Sequence, residues 1–152
     1  MKRKEIIQQL KQFFDIQELV CPHTYKRFGE VSWQFFDTDF LENLLILRRD
    51  ILQVPMTVND YKWGGRWTQR GFRCNICQLV RDKTLNNDIY LTAHANGAGI
   101  DSVFKSITAE QARQKIREQY SKFTIPIRIE KDVTWLHFDI YDPGNGNKLN
   151  EF

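Results

Sequence analysis

Thr134-Trp135-Leu136-His137-Phe138-Asp139-Ile140-Tyr141 decides the reading of this chain, because its side chains alternate in character at the period of a β-strand. Leu136, Phe138 and Ile140 fall on one face, suited to a core. Trp135, His137, Asp139 and Tyr141 fall on the other, which is left to carry chemistry. A polar turn at Lys131 and Asp132 separates this strand from a second one over 125–130, so the two pair as a hairpin. The partner segment is Thr92-Ala93-His94-Ala95-Asn96-Gly97-Ala98-Gly99-Ile100-Asp101. Asn96-Gly97 favours a turn, which excludes one continuous helix carrying both His94 and Asp101. A turn feeding a short strand over 99–104 brings the two side chains together instead.

Outward from these strands the chain reads as helices around a sheet. Residues 3–14 form an amphipathic helix, followed by an extended piece over 16–20. Phe40, Leu41, Leu44, Leu45, Leu47, Ile51 and Leu52 recur at helical spacing and predict a helix over 38–52. Pro55 follows its end, and 56–59 reads as a strand. Gly64-Gly65 and Arg70-Gly71 belong to a long loop framing a cleft. Thr108, with Gln111 three positions on, caps a further helix. The tail 142–147 is a loop. The expectation is one α+β domain over 1–152, a small antiparallel sheet flanked by helices.

At 152 residues the chain is long enough to bury one core, and 41% hydrophobic with 27% charged residues excludes a disordered tail. No stretch approaches the roughly 20 apolar residues of a transmembrane helix. Met1-Lys2-Arg3-Lys4 is positive, but Glu5, Gln8, Gln9 and Lys11 break up the apolar run that a secretory signal needs, so none is expected and synthesis is assigned to the cytoplasm. The net charge of +3 favours approach to anionic polymers. It is not gathered into a basic helix, so specific nucleic-acid binding is not expected.

His94, Asp101 and His137 supply a nitrogen, an oxygen and another nitrogen, enough for a catalytic zinc with a fourth position for water. The plainer alternative is packed histidines with satisfied hydrogen bonds and an Asp101 that caps a turn. Two of only three histidines falling in these segments favours ligands. Cys74 and Cys77 form a C-x-x-C pair far from Cys21, without a second pair or a histidine at the usual spacing, and read as buried, inert thiols ahead of redox chemistry or a second metal site. His23 reads as a hydrogen-bonding group near the core.

The run Thr92 to Asp101 resembles the S-x-H-x-x-G-x-A-x-D signature of M15 peptidases, the D-alanyl-D-alanine carboxypeptidases and phage endolysins, with Thr92 for serine and Gly99 for alanine. Arg73 resembles the arginine upstream of that signature, and Trp135 to Asp139 the terminal ligand motif of the phage and prophage branch. Cys21 to Tyr25, Phe28-Gly29-Glu30 and Val58-Asn59 resemble that branch too. The resemblance implies a zinc peptidase fold with His94, Asp101 and His137 holding the ion, and hydrolysis of an amide in peptidoglycan stem or cross-bridge peptides. It also implies action at the cell wall after phage-mediated release. Oligomeric state stays open.

Two positions depart from the family. Thr134 stands where many members carry the general-base glutamate, and Trp135 where related peptidases carry a histidine. The base is therefore sought among Asp132, Glu130 and Asp139, with Asp132 first because it sits on the turn entering the last strand. Arg73 is expected to grip a terminal carboxylate or the developing oxyanion, with Trp63, Trp67 and Phe72 as an apolar wall. Thr134 keeps a different class in play, a noncatalytic zinc-containing module that binds a cell-wall peptide or a phage structural partner.

Overall fold

A computed structural model describes all 152 residues. Six helices surround a four-stranded sheet: α1 (Arg3–Leu10), α2 (Ile16–Leu19), α3 (Pro22–Phe28), α4 (Thr38–Ile46), α5 (Gln78–Leu85) and α6 (Ala109–Gln119), with β1 (Gly99–Ser102), β2 (Ile127–Ile129), β3 (Leu136–Asp139) and β4 (Leu149–Glu151). The strands lie in the order β1-β3-β2-β4. β3 runs antiparallel to both neighbours, pairing Asp101 with His137 and Arg128 with Asp139. β4 lies parallel to β2, so the sheet is mixed rather than wholly antiparallel. The cause is the tail: past its loop the chain returns to the free edge of β2, where Ile127 N–H reaches Lys148 O and Phe152 N–H reaches Ile129 O. An otherwise open edge is thereby covered.

The alternation in β3 sorts its side chains as the sequence indicates. Leu136 and Phe138 are fully buried in a continuous core with Phe40, Leu44, Ile116 and Phe123. The Phe138 ring meets those of Phe123 and Phe40 at centroid separations of 5.4 and 6.3 Å. Helix α4 starts where the Asp37 carboxylate accepts from the N–H groups of Asp39 and Phe40. It continues as a π-helical turn over Leu47–Leu52 and stops at Gln53 in a left-handed conformation, φ 58°. Helix α6 begins at the Thr108 capping box, as its sequence indicates.

Three local expectations change. Ile16–Leu19 is a short helix, not an extended piece: Asp15 and Glu18 form a capping box that outweighs the strand character of the apolar residues. The strand expected over 56–59 reduces to one bridge between Thr57 and Val103. The first helix ends at Leu10 in a turn rather than at residue 14. Helices α3 and α5 are additional to the sequence reading.

The segment 70–73 positions the site. Three backbone groups tie it to the ligand-bearing segments: Arg70 O accepts from Asp101 N–H of the edge strand β1 at 2.7 Å, Arg73 N–H donates to His94 O at 3.1 Å, and Gly71 O meets His94 Nδ1 at 2.9 Å. Its other side pairs with Leu19 and Cys21 through the backbone of Phe72. Gly71 is required here, because a Cβ would lie 1.9 Å from Leu19 O. Gly97 is required for the turn after His94, with φ +64° and a would-be Cβ 2.0 Å from Phe35 O.

Candidate metal centre

His94 is delivered by the turn before β1, Asp101 by β1 and His137 by β3, and the pairing of Asp101 with His137 across the sheet places both on the same face. The ligand atoms of the three residues lie within 4.8 Å of one another. His94 Nε2 is 3.3 Å from Asp101 Oδ2, and His137 Nδ1 is 2.8 Å from Asp101 Oδ1. Zinc bonds of about 2.0–2.1 Å in tetrahedral geometry separate neighbouring nitrogen and oxygen ligands by about 3.3 Å. The His94–Asp101 separation matches that spacing, and His137 is closer to Asp101, at direct hydrogen-bond distance. Both imidazoles are buried, at 4% and 8% exposure, which leaves little room for competing water at the ligand nitrogens.

Each histidine is held so that the correct nitrogen faces the shared point. His94 Nδ1 donates to Gly71 O, which leaves the Nε2 lone pair free towards Asp101. His137 Nε2 donates to Asp139 Oδ2 at 2.6 Å, which dedicates Nδ1 to the same point. Asp139 is itself fixed: Arg128 donates to both carboxylate oxygens at 2.9 Å and Tyr141 N–H donates to Oδ1 at 2.9 Å. β3 and its neighbours thus back the candidate ligand His137 with a buried carboxylate.

The same packing sets the charge of these side chains. Burial pushes the Asp101 carboxyl up, but hydrogen bonds from His137 and His94 outweigh it and hold the group well below the usual carboxylate range. Burial pulls the His137 imidazole down, yet Asp101 and Asp139 on either side lift it to about 9. Burial raises Asp139, and His137 and Arg128 bring it below its ordinary value. A proton on His137 therefore occupies the place a cation would take.

Arg73, Glu130 and Trp135 line the cavity of about 550 Å³ that contains the three candidate ligands. The Arg73 guanidinium donates to Gln69 O, to Tyr90 Oη at 2.9 Å and to Asp101 Oδ2 at 3.3 Å. A smaller recess shares Arg73, Asp101 and Trp135 with this cavity and extends along Trp67 and Arg70. The Arg70 guanidinium stacks 3.8 Å from the Trp67 ring centroid, and its buried Nη1 has no hydrogen-bond partner.

The remaining expected residues divide between the cleft and its surroundings. Asp132 is exposed at the tip of the turn, with φ 59°, and is not among the residues lining the metal cavity. Arg113 explains the placement: its buried guanidinium donates to Glu130 O, Val133 O and Trp135 O, pinning the turn by its backbone. Thr134 lines a separate recess with Phe104 and Arg113. Asp139 is committed to His137 and Arg128. Of the expected apolar wall, Trp67 faces the cleft, Trp63 lies in a different cavity and Phe72 packs on Phe35 and Phe36. Trp135 supplies the wall beside the ligands instead, lining the same cavity as His137.

The cysteines form a second cluster: Cys21 and Cys77 are buried, as expected, and Cys74 is half-buried. Cys21, His23, Cys74 and Cys77 place their ligand atoms within 4.8 Å of one another. His23 is a hydrogen-bonding group, as expected, but it is exposed and its contacts are with cysteine sulfurs. Its partners Cys74 and Cys77 lie 51 and 54 residues away in sequence, which hides them from any spacing rule.

The chain matches no protein-family model, and comparison with curated proteins and with solved structures returns no match either. No helix is long and apolar enough to cross a membrane.

Proposed function

We propose that this chain is a zinc-dependent metallopeptidase that hydrolyses an amide bond in peptidoglycan stem or cross-bridge peptides. The observation that carries the reading is the convergence of His94 Nε2, Asp101 and His137 Nδ1, with each imidazole locked by a second hydrogen bond in the tautomer that ligation requires. Three protein ligands with a fourth position open to the cavity is the arrangement of a catalytic rather than a structural zinc. The ion would supply a Lewis acid for the scissile carbonyl and lower the pKa of a water to about 7. The resemblance in the ligand segments and in Arg73 supports cell-wall peptides as the substrate class.

The protein's own groups divide the remaining work. Glu130 lines the cavity without an ion-pair partner, which supports it as the carboxylate that would take a proton from the attacking water and pass it to the leaving amine. Arg73 donates to the carbonyl oxygen as negative charge develops there, its guanidinium already aimed at the cavity by Gln69 O and Tyr90 Oη. Trp135 and Trp67 present flat apolar surfaces along the cleft, and Arg70 offers a further cation for a substrate carboxylate.

Digestion of defined muropeptides with zinc-loaded protein tests the proposal, with product masses locating the scissile bond. Loss of a terminal D-alanine identifies a carboxypeptidase, and cleavage within the stem or bridge identifies an endolysin. The placement of Thr134 outside the cleft favours one second reading, a zinc-containing module that binds the same peptides without cutting them. Measurable affinity with no product across pH and wall types establishes that reading in place of the first.

A further inference from the structure

We propose that Cys21, His23, Cys74 and Cys77 bind a second zinc ion, structural in role, that clamps the segment carrying Arg73 onto the start of α3. The proposal rests on geometry independent of the His94 site. Cys74 Sγ lies 3.9 Å from Cys77 Sγ and 3.7 Å from His23 Nδ1, and Cys77 Sγ lies 3.9 Å from the same nitrogen. For zinc–sulfur bonds of about 2.3 Å and zinc–nitrogen bonds of about 2.0–2.1 Å, tetrahedral geometry sets ligand separations of about 3.8 Å between sulfurs and about 3.5 Å between sulfur and nitrogen. The cluster sits near those values. Cys21 closes the fourth corner, its Sγ also contacting Thr24 Oγ1 at 3.1 Å.

The donor set selects the ion class. Three thiols and an imidazole form a Cys₃His site, soft and closed, and the full complement of four protein ligands leaves no position for substrate. Binding would release the thiol protons, leaving three thiolates and a neutral imidazole around the cation. A dithiol redox pair accounts for Cys74 and Cys77 but gives no reason for Cys21 and His23 to face them. Inert buried thiols account for Cys21 and Cys77 but not for His23, which is exposed and yet directs Nδ1 at two sulfurs.

The position in the fold gives the ion its purpose. Cys74 follows Arg73 directly, Cys77 is the N-cap of α5, and Cys21 is the N-cap of α3. Between them runs the segment whose carbonyls hold His94 Nδ1 and Asp101 N–H. The Cys21 N–H to Phe72 O bond and the Phe72 N–H to Leu19 O bond tie that segment to the N-terminal helices by backbone. A four-ligand clamp would anchor its far end and hold Arg73 in register.

Elemental analysis and cobalt substitution of the full chain test the proposal. The expected result is two zinc equivalents in the wild type and one in a His94→Ala/His137→Ala variant. That variant, loaded with Co²⁺, should show an intense near-ultraviolet thiolate-to-metal band. His23→Ala alters an exposed residue and should weaken retention of that equivalent at least tenfold in chelator competition while the fold persists by circular dichroism. Titrating wild-type thiols with a mercurial should release one zinc in step with the three cysteines. No thiolate band in the double-histidine variant, or free reaction of all three thiols without zinc release, overturns the clamp. A Cys74–Cys77 disulfide forming in zinc-saturated protein overturns it in favour of redox chemistry. Activity enters none of these readouts, so they stand whether or not the protein cuts peptides.

Discussion

Replacing Asp139 by asparagine should cripple the His94 centre without touching a metal ligand. The wild-type carboxylate accepts from His137 Nε2, from both Arg128 nitrogens and from Tyr141 N–H, and it is wholly buried. An asparagine has one acceptor oxygen in the same space. If that oxygen keeps Tyr141 N–H and Arg128 Nε, its amide N–H₂ faces His137 Nε2. The imidazole must then accept there and carry its proton on Nδ1, the atom that ligation needs bare. The reverse orientation keeps the His137 bond but sets the amide against the Tyr141 N–H. Changes of this kind behind a ligating histidine typically weaken metal binding 10–100-fold, about 1.4–2.7 kcal/mol. Chelator competition at pH 7.5, read on the equivalent of zinc that His94→Ala removes, measures the loss, and circular dichroism checks the fold. Affinity within twofold of wild type in a folded Asp139→Asn protein would refute the argument that this carboxylate sets the tautomer of His137.

The remaining predictions concern catalysis and pH. Arg73→Ala should lower kcat by about 10²–10³, the usual cost of an oxyanion donor, with both zinc equivalents retained, as assayed on a defined muropeptide. Glu130→Gln should abolish turnover with zinc and fold intact, whereas Asp132→Asn, on the exposed turn, should cleave as the wild type does; the opposite pattern would return the base to Asp132. Burial raises the Glu18 carboxyl from 4.5 to about 7, so its protonated form is favoured by folding: that stability is present below about pH 4.5 and lost as pH rises through 7. Glu18→Gln keeps an acceptor for Asp15 N–H, and should melt like the wild type at pH 4.5 but above it at pH 8 in thermal scans.

The strand carrying His137 was legible because the residues from Trp135 to Tyr141 obey a period of two, and its core face packs as that period requires. The helix from Thr38 was legible for the same reason at a period of 3.6. β4 was not, since Leu149–Glu151 offers one large apolar residue in three, and its pairing is fixed by the return of the tail to the β2 edge. Ile16–Val20 misled because branched apolar residues read as extended, while the deciding bonds belong to Asp15 and Glu18. Ligand types at His94, Asp101 and His137 could be read from sequence, and so could an orienting role for Asp139, two residues from His137 on the same face; the role of Gly71 O could not, because the bond to His94 Nδ1 joins segments 23 residues apart. Asp132 stands close to β3 in sequence, which by itself does not fix where its side chain lies. The direction of that turn is set by Arg113, on a different element, and it presents Glu130 to the cavity instead. Cys74 and Cys77 carry the C-x-x-C spacing of half a zinc site, but Cys21-x-His23 is not a recognisable second half, and the pairing of Val20 with Phe72 brings the two together.

Anomalous diffraction at the zinc edge from crystals of the full chain tests the central claim most directly. The expected peak lies about 2.0–2.2 Å from His94 Nε2, an Asp101 carboxylate oxygen and His137 Nδ1, with a fourth position facing Arg73 and Glu130. A peak bound through His137 Nε2, or zinc-saturated crystals with no peak among these three side chains, would contradict it.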